Sequence, residues 1–474
     1  MADADSDAAL RPHSGAPDAP PVRDHEGDLN PGFVALLEEA IEAGDSGRVV
    51  ALVEDLHESD LGDAIEALVP DDRTRLIELL GPRFDFAALT EVDDSVRDDI
   101  LDDLKTDIVA EGVRELDADD AVRILEDLEP EEQAAILRKL PAIERDALQR
   151  SLDYPEDSAG RRMQTSFIAA PPFWSVGETI DHMRDTPDLP ETFYEIFVVD
   201  PGYHLLGAVA LDKLLRSPRA AAIGSVMTDE PDAVRATDPQ DDVARLFQRR
   251  NLVSAAVVDE ANRLVGAIMI DDVVDVIEEE ADADIKALGG VNPEEEISQN
   301  VLAITRGRFW WLFVNLLTAF LASSVLKGFE HQLERMVALA VLAPIVASQG
   351  GNAATQTMTV AVRALATRDL GPWNMTRVIV RETAVGLLNG IGFALITGAL
   401  AAAWFASWGL GVVIGLAMIV NLVAAALAGI LVPLALDRWG ADPAVSSGAF
   451  VTTVTDVVGF FSFLGIATLW FGLG

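Results

Sequence analysis

The 474 residues carry 78 Asp and Glu against 35 Lys and Arg, a formal net charge of −43. So acidic a chain is a poor partner for nucleic acid, which is itself polyanionic. The absence of cysteine excludes disulfides and thiolate metal sites, and the length calls for several domains.

The charge is unevenly spread. From Val301 onward nine Lys/Arg face seven Asp/Glu, a net of +2, which leaves residues 1–300 at −45. Two solvents are implied, water for the first part and lipid for the second. Only five of the 35 basic residues are Lys. Many carboxylates with little Lys suits a cytosol kept at molar salt, where the Debye length is about 3 Å and self-repulsion is screened. An acidic protein that merely avoids nucleic acid is the plainer alternative.

Residues 1–30 are polar, rich in Asp, Ala and Pro, and lack an apolar signal-peptide core; a disordered tail is expected. From 31 to 162 apolar residues recur at helical spacing, as in Leu36, Leu37, Ile41, Val49, Val50 and Val53. The stretch 60–80 (DLGDAIEALVPDDRTRLIELL) is echoed at 119–140 (DDAVRILEDLEPEEQAAILRKL). Both place a Pro and acidic residues where a second helix should open. Stacked helix pairs of this kind predict a small α-solenoid.

Residues 163–270 hold a clearer duplication. IFVVDPGYHLLGAVALDKLL (196–215) matches AAVVDEANRLVGAIMIDDVV (255–274) at a constant offset of 59, with Asp200 on Asp259, Gly207 on Gly266 and Asp212 on Asp271. Each half reads strand, turn, Gly, strand, then an Asp opening a helix. This resembles a tandem pair of CBS domains, which commonly bind adenine nucleotides such as ATP; the stretch has no phosphate-binding Gly loop of its own. Residues 271–302 hold an acidic connecting helix, DDVVDVIEEEADADIKALGG (271–290), and a linker; Asp272, Asp275, Glu280 and Asp284 are its candidate exposed positions and Gly289-Gly290 its stop. A plain spacer and a cation-sensitive lever are both open readings of it.

Residues 303–474 contain five hydrophobic segments, about 309–327, 336–361, 383–406, 409–436 and 446–472, each near the roughly 20 residues that span a bilayer. Seven Arg lie before the first segment and in the second and fourth connections; Lys327 and Arg335 lie in the others. The positive-inside rule then puts the N-terminus in the cytoplasm and, with an odd number of spans, the C-terminus outside.

Three polar clusters interrupt the apolar segments. In the second, PIVASQGGNAATQ (344–356), Asn352 and Gln356 lie four apart on one helix face and offer amide oxygens; packing through small residues is the alternative. Asp442 precedes Pro443 at the mouth of the fifth segment, where it can cap the helix or stand at a pore mouth. Asp456 sits near the middle of the fifth, where even the lenient insertion scales charge a carboxylate about 2.5 kcal/mol. Thr452, Thr453 and Gly448 share its face. An ion or proton path is the expected use of such a carboxylate; a neutral Asp bonded to a threonine is the structural alternative. No nucleophile elbow, phosphate-binding loop, zinc-binding helix or His cluster occurs, so no enzyme is expected.

The order of parts resembles the MgtE family of magnesium channels and transporters. The most specific pieces are GGN with Gln356, VRALATRDL (362–370) and DPAVSSGAFVTTVTD (442–456). The resemblance implies a multidomain α-helical membrane protein: a cytosolic α-solenoid, α/β tandem CBS domains, a connecting plug helix and five transmembrane helices. It further implies a homodimer in the lipid bilayer enclosing a Mg2+ pore at Asp456, with Asp442 at its mouth and Mg2+ sensor positions at Asp272, Asp275, Glu280 and Asp284. Ala283, Ala354-Thr355 and Ala449 depart from the family pattern. The chemistry agrees, because Mg2+ keeps several waters and needs only one or two carboxylates. A membrane-anchored CBS nucleotide or ion sensor, and a cation-coupled exchanger, are the competing readings.

Overall fold

The computed structural model describes residues 20–473, apart from 127, 187, 188, 191, 294, 372, 441 and 442 and the side chains of 445–447. Most of the expected N-terminal tail, and Asp442, lie outside the described residues. The chain divides into two compact units, Met1–Glu280 and Ala281–Gly474.

The first unit begins earlier than the composition predicts. Val22 is fully buried, and Arg23 Nε donates to Asp60 Oδ1 at 2.6 Å while a second nitrogen reaches Asp63, so residues 20–30 pack rather than trail. The helices that follow are α1 (Pro31–Ala43), α2 (Ser46–Val53), α3 (Glu58–Ala67), α4 (Pro70–Leu80), α5 (Asp94–Asp103), α6 (Thr106–Glu115), α7 (Ala118–Glu126), α8 (Pro130–Leu137) and α9 (Ala142–Leu152). Their apolar stripes bury Phe33, Leu37, Ile65, Leu76, Ile100 and Ile124 in one core. The echoed sequences become the pairs α3/α4 and α7/α8. In each, a Pro opens the second helix with acidic residues in its first turn, where a missing N–H costs nothing and the helix dipole favours negative charge.

The duplicated region forms β1 (Ala169–Ala170), α10 (Val176–Asp185), β2 (Glu195–Val199), β3 (Leu205–Ala210), α11 (Leu211–Arg216), α12 (Ile223–Val226), β4 (Thr228–Asp229), β5 (Ala233–Arg235), α13 (Gln240–Arg250), β6 (Ser254–Val258) and β7 (Leu264–Met269). Its two sheets run β1-β2-β3-β4 and β5-β6-β7. The β2–β3 register, Glu195 to Ala210 with a bulge at Val198/Val199, recurs in β6–β7 as Ser254 to Met269 with a bulge at Val257/Val258. Every position is displaced by the 59 residues read from the sequence. Asp200 and Asp259 each accept from the backbone N–H groups two and four residues on, which shapes both turns alike. The turns then bond each other: Leu205 N donates to Asn262 O at 3.1 Å and Leu264 N to Tyr203 O at 2.8 Å.

Directly after β7 comes α14 (Ile270–Leu288), and the division between the two units falls inside this helix. It ends in a Schellman cap. Val291 N donates to Lys286 O and Gly290 N to Ala287 O, with Gly290 at φ +70°, a conformation glycine adopts without steric cost.

The second unit contains α15 (Val301–Gly328), the short α16 (Glu330–Arg335), α17 (Val337–Ala366), α18 (Met375–Trp404), α19 (Trp408–Arg438) and α20 (Pro443–Phe471). Among the described residues, five helices are long and apolar enough to cross a membrane: α15, α17, α18, α19 and the Gly448–Phe471 part of α20. Within this unit α19 is the central helix, 61 % buried over its most apolar stretch against 6 % for α15. It packs on α17, α18 and α20, and α15 packs on α20. Seven Trp fall near the ends of the spans: Trp310, Trp311, Trp373 and Trp439 at the arginine-rich ends, Trp404, Trp408 and Trp470 at the others. That is the aromatic girdle of a membrane interface. Several helices overrun the hydrophobic segments toward the arginine-rich ends, because those arginines reach water while their backbone stays helical.

Candidate functional site

The site is built on α20. Gly448, Thr452 and Asp456 follow at intervals of four, and Ala449 and Thr453 lie beside them, so one face carries the polar groups. This face opens on a cavity of about 390 Å³. Trp311, Asn315 and Thr318 of α15 and Thr355 and Met358 of α17 complete its sides, and Ala287–Gly290 at the end of α14 lie against it. Among the described residues Asp456 is the one charged group on this wall; it is half-buried.

The hydroxyls are oriented by their own helices. Thr452 Oγ1 donates to Gly448 O at 2.9 Å, Thr453 Oγ1 to Ala449 O at 2.6 Å, Thr355 Oγ1 to Gly351 O at 3.0 Å and Thr318 Oγ1 to Asn315 O at 2.9 Å. Each hydroxyl has spent its proton, so what it turns to the cavity is lone pairs. Four hydroxyl acceptors near one carboxylate suit a cation that still carries water, whose hydrogens all point outward. Asn315 and Thr318 carry no signal in the sequence, and Thr355 stands out there only as a departure from the family pattern. Thr355 stands in the GGN stretch, but nothing in the apolar first span distinguishes Asn315 from an ordinary packing residue. Asn352 and Gln356 lie off this cavity wall, exposed on α17.

The acidic positions of α14 are not equivalent. Asp272, in the first turn, is half-buried, and its carboxyl shares a hydrogen bond with that of the buried Asp119 on α7. Burial, with mutual repulsion added at Asp272, pushes both groups up from the ordinary carboxylate range. One oxygen of Asp119 is buried with no hydrogen bond. The neighbouring Asp120 is pushed up to about 7, by burial and then by Asp119. Two touching carboxyls cannot both ionise without a proton or a cation between them. One turn on, Asp275 and Glu279 pair with Arg123 of α7 at 3.7 and 2.9 Å, and Glu279 also faces Arg162 at 3.6 Å. Glu280 is half-buried. Asp284 pairs with Arg363, at the arginine-rich end of α17, at 3.7 Å. Among the described residues no group of three or more His, Asp or Glu side chains is gathered closely enough to hold a metal ion by itself. The sequence reading named Asp272 and Asp275 but missed Asp119, Asp120 and Arg123. Two acids opening a helix look like ordinary first-turn residues until a second helix is laid on them.

Comparison with known proteins bears on this arrangement. Residues 343–466 match the family model described as a divalent cation transporter, 56–157 the MgtE intracellular N domain and 223–279 the CBS domain. The magnesium transporter MgtE of Thermus thermophilus is 32 % identical over 439 residues, 91 % of this chain and 97 % of that protein. The chain belongs to the MgtE family of magnesium transporters. The MgtE of Enterococcus faecalis is 33 % identical over 319 residues, 67 % of this chain and 70 % of its own length. A crystal structure of the cytosolic domain of the Mg2+ channel MgtE in complex with ATP superposes with a TM-score of 0.47 at 27 % identity, covering 51 % of this chain and 99 % of that one. The CBS model covers only the second repeat; the repeated strand register identifies the first as its copy. An N-terminal cytosolic region followed by a multi-pass membrane region is thus the MgtE plan.

Proposed function

We propose that the chain carries Mg2+ into the cell along the cavity beside Asp456, and that Mg2+ on the cytosolic side closes the path through the acidic face of α14. The observation that carries this reading is Asp456 itself, among the described residues the one carboxylate on a cavity wall of threonine hydroxyls, an asparagine and small or apolar residues. A single carboxylate attracts a divalent cation without stripping its waters, and Mg2+ gives up water reluctantly. A site for dehydrated Ca2+ would need six to eight oxygen ligands.

The path is completed by a second copy of the chain. Asn352, Gln356 and Thr359 on α17 and Thr452 on α20 are exposed in the single chain; the threonine hydroxyls donate to their own helices, but lipid offers the carboxamides of Asn352 and Gln356 no partner. A homodimer meeting at these faces covers them and sets two Asp456 carboxylates about one axis. Asp442 belongs to the same path as the residue before Pro443. The C-terminus lies outside the cell, as five spans require.

Closure follows from the carboxyl groups. Asp119 and Asp272 supply a largely covered pair with an unmet oxygen, and that donor set fits a cation: these two carboxylates would hold a Mg2+ ion, which would supply the positive charge that lets both ionise. Asp275, Glu280 and Asp284 extend the acidic face along the helix. Uptake of Mg2+ into liposomes holding the full-length protein and a Mg2+-sensitive dye tests the path. Asp456→Asn keeps the shape and removes the charge, and at least tenfold slower uptake is expected. Uptake equal to that of the wild type removes Asp456 from the path.

A further inference from the structure

Asn421 lies in the middle of α19, and its side chain is wholly buried. Its Nδ2 donates to the carbonyl of Val346 on α17 at 2.8 Å, while its Oδ1 is buried with no hydrogen bond. Among the described residues, Glu295 and Thr455 are the other buried polar side chains of the membrane unit. Glu295 is matched by Arg308 at 2.9 and 3.1 Å, and Thr455 donates to Thr452 O at 2.9 Å. Asn421 alone of the three keeps an unmet buried atom, and such an atom in a native structure calls for an explanation.

The surroundings supply one. A Cβ added at Gly350 of α17 would collide with Asn421 Nδ2, and one added at Gly459 of α20 would stand 2.9 Å from the same atom. Two glycines on two helices therefore make room for one carboxamide on a third. Gly459 is one turn beyond Asp456, and Gly350 lies five residues before Thr355. Asn421 does not line the cavity, yet it touches both α17 and α20, which contribute acceptors to it.

We infer that Asn421 is a positioning residue for Mg2+ passage: its carboxamide keys α17 and α20 onto α19 and so fixes where Asp456 and Thr355 stand. The bond to Val346 needs an N–H or O–H donor. Leu at 421 keeps the approximate volume and makes no such bond. Asp keeps the shape and makes the bond only while protonated, because an ionised carboxylate is acceptor-only. In the membrane interior of α17, α19 and α20, Asp456 is the titratable group among the described residues. Its own titration is common to the wild type and the variant.

The inference rests on Asp456 lying in the ion path, and the test separates the two claims. Mg2+ uptake into liposomes is measured for full-length wild type, Asn421→Leu and Asn421→Asp at pH 5.5 and pH 8. Asn421→Leu is expected to lose at least tenfold in maximal uptake. The ratio of Asn421→Asp uptake to wild-type uptake is expected to rise at least fivefold from pH 8 to pH 5.5, as the new carboxyl regains its proton and the bond re-forms. A purely space-filling role predicts no such rise. Should Asn421→Leu fail to fold, the ratio for Asn421→Asp decides alone. A flat ratio, whether activity is full or absent, overturns the inference, whereas undiminished uptake by Asp456→Asn overturns the path and not the role of Asn421.

Discussion

Asp119 and Asp272 meet where water is scarce; that burial makes both harder to ionise, and the nearness of Asp119 adds to the effect at Asp272. Their raised values mean that the docked arrangement of α7 on α14 favours the protonated form. The contribution of such a group is fully present below the ordinary carboxylate range, near 4. It is lost as pH rises through the raised value. On the proposed closure, Mg2+ held by the pair would offset that loss. The rise in thermal midpoint of the full-length protein on adding Mg2+ is therefore expected to be larger at pH 8 than at pH 5.5. Asp119→Asn, which removes one of the two charges, should shrink that difference. An equal rise at both pH values, or a larger one at pH 5.5, contradicts the assignment of this pair. At this scale the sequence was uneven as a guide. Asp456 is legible because one carboxylate in an apolar run is costly and conspicuous. Asp119 is illegible because it is one of 78 acids, and only its partner on another helix raises its energy.

At the scale of elements, the five spans and the duplicated sheets follow directly from hydropathy and from the offset of 59, since burial in lipid and repeated strand pairing leave long, regular signals. The faces of those spans were harder to read. Period 3.6 groups Asn352 with Gln356 correctly, but it does not say which neighbour their face meets; within the single chain that face of α17 is exposed, and Thr355 reaches the cavity instead. Spacer and lever are the two readings that the sequence allows for the connecting helix. Its ion pairs with Arg123 and Arg363 give it partners along its length, which a plain spacer does not need. Surface pairs of this kind are individually weak and are screened by salt, so they bias the helix rather than lock it. The exposed face of α17 makes a direct prediction. The chain has no cysteine, so Gln356→Cys introduces a unique thiol, and if α17 meets its copy in the dimer, mild oxidation in membranes should yield a disulfide-linked species of twice the mass. Cross-linking at a lipid-facing control, Leu388→Cys, but not at residue 356 would place the dimer face elsewhere.

At the scale of the whole molecule, charge is divided between two jobs. The membrane region keeps a single carboxylate on its cavity wall, and nearly all the remaining acid lies before Val301. The element common to both units by chain continuity is α14. The ion that passes Asp456 is, in this account, also the ion that neutralises the acidic face of α14. Transport thereby reports on its own product. At molar salt the diffuse field would be confined to about 3 Å, and the proposed closure would then rest on directly held ions at groups such as Asp272 and Asp275. The decisive measurement is Mg2+ flux through the full-length protein in liposomes, with Mg2+ clamped at low and then at high concentration on the side bearing the cytosolic region. The account predicts wild-type flux that falls at least fivefold at high Mg2+, and an Asp272→Ala/Asp275→Ala double variant that conducts equally at both. Wild-type flux indifferent to that Mg2+, or a double variant that closes normally, would contradict it.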